Sequence, residues 1–348
     1  MILRELSEAV GVSGDEGNVR AILLDAIREH VDEIQVDTMG NVLAFKRGTG
    51  RRRLRVMLDA HMDEVGLMVV GHNGDGFLQV RTVGGIDLRL LPGTLFQVGS
   101  ECVPGVVGIK PIHLIERKEG DRVAKIKDLV VDVGAKSRDE AKSLAPVGTY
   151  ISFATVYREL GPTVRGKAFD DRAGCAVMVE LLRGERFRFD LYAAFTVQEE
   201  VGLRGAHTAA YTIDPDCAFA LECTVADDIP KDKQGVSSTT ELGKGPAITV
   251  MDRSFIADRR LVRLLTGAAK ELDIPYQIKQ PGIGGTDAGA IHRTREGVPS
   301  IAVAIPCRYI HSPVGLLSLD DFNNTVQLMR ESLSRLTRRT LNKGREKN

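Results

Sequence analysis

From about Val69 to Pro162 the chain changes character. Glycines punctuate short valine- and isoleucine-rich runs such as GFLQVRTVGG, GTLFQVGS, VPGVVGIKPIHLI and DLVVDVGA, and helical periodicity nearly vanishes. Short apolar runs separated by turn formers build strands, so this stretch reads as a small β-barrel or sandwich. The flanks follow another rule. RLRVMLDAHMDE precedes it as a strand running into a polar cluster, and beyond Pro162 strand-like and helix-like segments alternate: AGCAVMVELLRG, FDLYAAFTV, GAHTAAYTI, CAFALEC, ADRRLVRLLTGAAKELDI, PSIAVAIP, SLDDFNNTVQLMRESLSRLTRRTL. Strands flanked by helices of this length specify an α/β sandwich. The expected plan is one discontinuous α/β domain of residues 1–68 and 163–348, interrupted by an inserted β-rich domain of residues 69–162.

The 348 residues are long enough for that plan. Lys plus Arg and Asp plus Glu number 47 each, so no net field favours nucleic acid or an anionic membrane. No apolar run approaches the roughly 18 residues of a membrane span. Acidic residues interrupt MILRELSEAVGVSGDEG where a signal peptide needs an apolar core, so a cytoplasmic protein is expected. Cys102, Cys175, Cys217, Cys223 and Cys307 are odd in number and lack CxxC spacing, which argues against a disulfide framework or a thiolate zinc site. Ser13 stands three residues ahead of Glu16 as a capping box for the helix of SGDEGNVRAILLDAIREHV, and Gly40-Asn41 marks a hairpin. The final NKGREKN reads as a disordered charged tail.

Polar clusters stand where the strands run out. DAHMDE places His61 and Asp63 two apart, on the same side of an extended segment, so Asp63 can orient the imidazole. Asp170 and Asp171 in GKAFDDRAGCAV are more acid than a helix N-cap needs. TVQEEVGLRGA ends a strand with Glu199 and Glu200, neighbours that repel each other and are costly to bury unless a cation compensates. Glu222 closes an apolar strand in FALECTVADD, and His311 stands in CRYIHSP. Singly, each has a structural reading as a solvated pair, a cap or a packed histidine. Together they sit where open α/β sheets line their ligand crevice. Two histidines and three or four carboxylates suit a pair of borderline divalent ions such as zinc, cobalt or manganese. Such pairs, roughly 3.5–4 Å apart, clamp the attacking and leaving oxygens of a hydrolysis. The loop from Gly284 to Asp287 offers backbone for a close approach to substrate. His30, His72 and His113 read as structural, with His207 and His292 nearer the polar clusters.

DAHMDEVG, KAFDDRAG, TVQEEVGLRGA, GGTDAGAIH and RYIHSP, in that order along the chain, resemble the tetrahedral (TET) aminopeptidases. That metallopeptidase family includes glutamyl aminopeptidase, and some members carry an endoglucanase name. The resemblance implies a di-metal α/β peptidase domain with an inserted β-rich (barrel or PDZ-like) dimerisation domain, in dimers that assemble to a dodecamer. It implies two divalent ions per subunit, with Asp170 bridging, His61 and Glu222 completing one ion, and Glu200 and His311 the other. Glu199 would be the general base, Asp63 the partner of His61, and the Asp170–Asp171 peptide cis. The family often has aspartate where this chain has Glu222, whose longer side chain could alter that ion's affinity. Successive strand residues point to opposite sides, so the adjacent glutamates divide two tasks: Glu200 turns to an ion while Glu199 stays unligated beside the attacking water.

The expected function is a metal-dependent aminopeptidase that removes amino-terminal residues from short peptides by a two-metal activated water. A deacylase or dipeptidase on the same metal core is one alternative. A glycoside hydrolase, whose two carboxylates flank a sugar bond at about 5–9.5 Å without a metal, is another, and a non-catalytic binding protein is a third. The residue cleaved and the metal used stay open.

Overall fold

The computed structural model describes residues 2–108, 110, 112–114, 123–230, 238–282 and 284–342. Two helices, α1 (Ile2–Glu8) and α2 (Gly17–Ile27), precede strands β1 (Glu33–Val36), β2 (Val42–Lys46) and β3 (Arg55–His61). There follow β4 (Gly66–His72), β5 (Leu78–Val83), β6 (Leu95–Val98), β7 (Val103–Gly108), β8 (Val130–Asp132), helix α3 (Arg138–Leu144) and β9 (Tyr150–Phe153). The chain continues through β10 (Arg158–Leu160), β11 (Thr163–Gly166), α4 (Phe169–Arg183), β12 (Asp190–Thr196), α5 (Arg204–Ile213) and β13 (Cys217–Val225). It closes with β14 (Ala247–Thr249), α6 (Arg259–Glu271), β15 (Gln277–Ile278), α7 (Ala288–Ile291), β16 (Ser300–Arg308), β17 (Gly315–Ser318), α8 (Leu319–Arg335) and α9 (Arg338–Asn342).

The large sheet runs β1-β2-β12-β3-β13-β16-β17-β11-β10, with β14 paired to β16 and β15 beyond it. Its centre, β12, β3, β13 and β16, is parallel. A parallel centre covered on both faces requires near-continuous apolar strands. β13 meets that demand, with Cys217 to Thr224 all buried. Helices α1, α2, α4, α6 and α8 pack on one another and, through α4 and α8, on one face, while α5 and α7 cover the other. The α/β sandwich is thus the architecture the alternating segments specify.

β4-β5-β8-β7-β6-β9 closes into a six-stranded barrel. Alternate residues (Leu67 and Val69, Leu78 and Val80, Phe96 and Val98) point into its core, where the Phe96 and Phe153 rings stack with centroids 4.9 Å apart. Gly66 stands at the joint with the sheet, where a Cβ would lie 2.5 Å from Val12 and 2.6 Å from the Ile151 carbonyl. The barrel's strands span Gly66 to Phe153. β10, inside the 69–162 segment, instead turns at Gly161-Pro162 and pairs with β11 at the edge of the large sheet.

Two local expectations differ from the structure. The β-rich segment contains α3, capped by Ser137, whose hydroxyl accepts from the Glu140 N–H at 3.3 Å. At seven residues it is too short to leave a periodic signature. Ser13 does not cap α2: its hydroxyl is drawn to Asp63, and Glu16 accepts from the Gly14 N–H. No helix among the described residues is long and apolar enough to cross a membrane. Of the charged tail, Lys343–Asn348 lie outside the described residues.

Candidate metal centre

Parallel register builds the centre. His61 at the end of β3 is level with Thr196 at the end of β12, and Ala220 of β13 is opposite Asp59, so Glu222 stands level with His61. Glu199 and Glu200 follow β12 by three and four residues, and His311 follows β16 by three. Asp170 comes from the first turn of α4. After β11 the chain takes a left-handed turn at Ala168 (φ 52°) and enters α4 through Asp170 and Asp171, whose backbone is not helical and whose connecting peptide is cis. A Cβ at Gly174 would collide with the Asp171 carboxylate, so glycine is required there.

Asp170 spans the two imidazoles. Its Oδ1 lies 3.4 Å from His61 Nε2 and its Oδ2 3.2 Å from His311 Nε2. Glu200 Oε1 is 3.2 Å from His311 Nε2; Glu222 Oε2 and Glu199 Oε2 are 4.0 and 3.9 Å from His61 Nε2. Asp171 also has a carboxylate oxygen within 4.8 Å of donor atoms of His61 and Glu222. Its oxygens, however, accept the backbone N–H groups of His61 (3.2 Å) and Gly174 (3.0 Å), so it holds the strand end while Asp170 faces the imidazoles.

Asp63 has a wider role than orienting His61. The His61 Nδ1 meets the Asp63 main-chain carbonyl at 3.1 Å and its carboxylate at 3.4 Å. The same carboxylate accepts from Ser13 Oγ at 2.5 Å and from the Glu199 and Glu200 N–H groups at 3.0 and 3.2 Å. It thereby anchors the loop carrying both glutamates.

Burial pushes Glu199, Glu222 and Asp171 well above the usual carboxylate range and raises Glu200. Burial opposes charge on the imidazoles too, yet their acidic neighbours outweigh it. Glu199, Asp170 and Asp63 raise His61 well above its ordinary value, and Asp170 and Glu200 push His311 up to about 11. Beneath the centre, Asp59 is fully buried against Asp287; burial and that facing carboxylate drive it strongly toward its neutral form. Asp287, held by Thr196 Oγ1 at 2.7 Å, is pushed up to about 6 by burial. So much carboxylate gathered around two imidazoles fits divalent cations. They would replace the protons that His61 and His311 otherwise hold, and the nitrogen–oxygen donor set suits zinc, cobalt or manganese. A cavity of about 390 Å³ opens onto this cluster, lined by His61, Glu199, Glu222, Lys279, Thr286 and His311 among others.

Residues 40–328 match the family described as M42 glutamyl aminopeptidase. The chain belongs to the M42 peptidase family. A lysyl aminopeptidase of Pyrococcus furiosus is 37% identical, with 96% of each chain covered. The crystal structure of a TET aminopeptidase from a marine-sediment Thaumarchaeota archaeon is 38% identical, with a TM-score of 0.92 over 98% of both chains. The Pyrococcus horikoshii TET1 peptidase, described as able to assemble into a tetrahedron or a large octahedral shell, is 33% identical at a TM-score of 0.84, covering 96% of this chain and 98% of that one. A Thermotoga maritima structure named endoglucanase is 36% identical at a TM-score of 0.79, covering 95% and 96%. The protein is thus a peptide hydrolase, and M42 peptidases are metallopeptidases.

Sequence reasoning missed the supports of this M42 centre. Asp59 had a signal: an aspartate inside the apolar RVMLDAH, on the same face as His61. Glu64 accepts from Lys167 Nζ at 2.6 Å, Ser152 Oγ at 3.1 Å and the Gly11 N–H at 3.2 Å. Arg172, fully buried, donates to the carbonyls of Met62 (2.6 Å), Leu6 (2.7 Å), Ala9 (3.2 Å) and Gly11 (3.2 Å). Glu64 follows Asp63, and Lys167 and Arg172 bracket the aspartate pair, so these charges tie both acidic loops to barrel strand β9. His207 is exposed on α5 and His292 meets the Ala288 carbonyl at 3.0 Å; neither joins the centre.

Proposed function

We propose that this M42 peptidase is a metal-dependent aminopeptidase that removes single residues from the amino terminus of short peptides. The observation that carries this reading is Asp170 between His61 and His311, with Glu200 and Glu222 alongside and Glu199 facing the same cluster. His61, Asp170 and Glu222 would hold one cation, and Asp170, Glu200 and His311 a second. Bound there, the pair supplies Lewis acidity toward the scissile carbonyl and the attacking water. Glu199 is the base. Its carboxyl is left free by the ligand set, its N–H is tethered to Asp63, and burial raises its proton affinity, so it takes the water's proton and returns it to the leaving amine. The acidic lining of the cavity also favours a substrate with a free ammonium group.

The relatives' names divide between lysyl and glutamyl activity, so they leave the residue removed open. Aminoacyl anilides with free and with acetylated amino groups, assayed with chelator and then with zinc, cobalt or manganese restored, test the reading. Hydrolysis of the free-amine series, abolished by chelator and restored by metal, is expected. Preference for blocked amines would favour the deacylase, and chelator-insensitive cleavage of a glucan the glycosidase.

The barrel is the proposed dimer surface. It exposes Leu95, Leu144 and Val147, apolar side chains that a partner would cover. Twelve subunits in a tetrahedral shell is the proposed assembly, in line with the TET relatives. Light scattering that shows a monomer at working concentration would overturn it. The free cysteines, four of the five buried, suit a reducing compartment such as the cytoplasm.

A further inference from the structure

We infer that the Gly84-Gly85 turn, at the foot of the barrel, positions His311 and Glu200, so that the barrel segment completes the second cation's share of the centre. The inference rests on the two-cation reading and adds positioning residues to it.

Both imidazoles of the centre are held in the same way. His61 Nδ1 meets the Asp63 main-chain carbonyl at 3.1 Å, and His311 Nδ1 meets the Gly85 main-chain carbonyl at 3.0 Å. A carbonyl only accepts, so each Nδ1 carries the proton. Each Nε2 is turned to Asp170, at 3.4 Å from His61 and 3.2 Å from His311. Fixing one ring nitrogen as the donor leaves the other free to ligate. The two carbonyls differ in origin. Asp63 lies two residues beyond His61, whereas Gly85 is 226 residues from His311 and belongs to the connection between β5 and β6.

The turn is shaped for this approach. β5 ends at Val83, paired with Gly66 where the barrel joins the sheet. Gly84 then takes φ 79°, a left-handed backbone that glycine adopts freely. A Cβ there would lie 2.8 Å from Val65 Cγ1 and 3.3 Å from Glu200 Cβ, so only a bare backbone comes this close to the glutamate. Past the turn, Ile86 and Leu88 pack against the barrel core, and Asp87 accepts from the Arg89 N–H at 3.0 Å, which fixes the loop. Gly84 thus abuts Glu200 while Gly85 holds His311. The first cation's ligands are supported from the sheet instead, His61 by Asp63 and Glu222 by the Asp287 N–H at 3.1 Å.

Gly84→Ala and Gly93→Ala separate this positioning from backbone strain. Gly93 has φ 76°, and a Cβ there meets nothing within 4 Å. Both variants put a methyl group on a left-handed backbone, but only Gly84→Ala drives it into Val65 and Glu200. Chelated protein is titrated with zinc by calorimetry, with melting temperatures taken alongside, and zinc-grown crystals identify the position that empties. Gly84→Ala should weaken the cation shared by Glu200 and His311 by about 10–100-fold, the usual cost of disturbing such supports, while the His61 position holds. Gly93→Ala should keep both cations. Unchanged zinc binding in Gly84→Ala overturns the inference, as does an equal loss in the two variants. The unmodified zinc-loaded crystal gives a reading that no folding defect can obscure. There His311 should ligate through Nε2, with Nδ1 still donating to the Gly85 carbonyl. Ligation through Nδ1, or a Gly85 carbonyl turned away, overturns the assignment. If the unmodified protein binds no zinc, the two-cation reading itself fails and takes this inference with it.

Discussion

The barrel and the carboxyl-terminal edge of the large sheet bury their side chains by opposite rules. Between Gly66 and Phe153, Ser152 is the one buried polar side chain among the described residues. The sheet edge and its loops bury Asp59, His61, Asp63, Asp171, Glu222, Lys279 and Asp287. Burying apolar surface stabilises at about 25 cal/mol per Å² without any partner. A buried carboxylate destabilises until a cation or donor compensates. The barrel's core is therefore stabilised without a partner, while the buried charges of the sheet edge call for a compensating cation. The candidate centre sits where burial is least favourable, and the proposed dimer surface lies on the barrel.

That contrast breaks first at Glu199. Glu199→Gln is nearly isosteric but takes no proton, so turnover should fall by about 10²–10⁴ with metal content and melting temperature held. Steady-state kinetics beside elemental analysis checks this; loss of metal would move Glu199 into the ligand set. The barrel should respond in the other currency. Phe96→Ala removes a ring from a closed apolar core and should cost about 3–5 kcal/mol of stability, with kcat per folded subunit unchanged. Chemical denaturation and kinetics on the same sample separate the two. A variant that folds normally but loses turnover would mean the barrel takes part in catalysis.

Glu200→Gln should lower occupancy of the cation shared with His311 more than that of its neighbour, because an amide oxygen is a poorer ligand than a carboxylate. Metal titration followed by calorimetry reads the difference, and two equally weakened sites would contradict it. The smallest effect is in pH. Without metal, His311 is raised from 6.5 to about 11, so its stabilising contribution is complete below about pH 6.5 and lost as pH rises toward 11. The raised carboxyls Glu199, Glu222 and Asp171 act with the same sign, because the folded chain holds protons that the unfolded chain releases. The melting temperature of the chelated protein should fall from about pH 6 to 9, and metal should flatten the slope. A rise over that range would contradict the account.

Much of the centre was legible because its residues interrupt apolar runs. His61, Glu199, Glu200 and His311 stand at or just past the end of a buried strand, and Asp170 and Asp171 are a doubled acid ahead of a helix; Glu222, expected to close its strand, instead lies inside β13, which stays paired with β16 as far as Val225. What escaped depends on tertiary partners. Ser13-x-x-Glu16 is a sound local pattern, but the distant Asp63 competes for the hydroxyl and wins. Lys279 follows a two-residue strand, where no periodicity can tell a cavity lining from a solvated edge. β10 has three residues, and its sheet is decided by β11 rather than by its own composition. Lys167, Arg172 and Glu64 read as ordinary charges until the fold brings them together.

The central claim is that the acidic edge is a two-cation site in which the adjacent glutamates have different tasks. A crystal grown with zinc or cobalt, with an anomalous difference map, tests it most directly. The account predicts two peaks per chain roughly 3.5–4 Å apart, one among His61, Asp170 and Glu222, the other among Asp170, Glu200 and His311, with Glu199 unligated. A single peak, no peak, or a cation held by Glu199 with Glu200 free would contradict it.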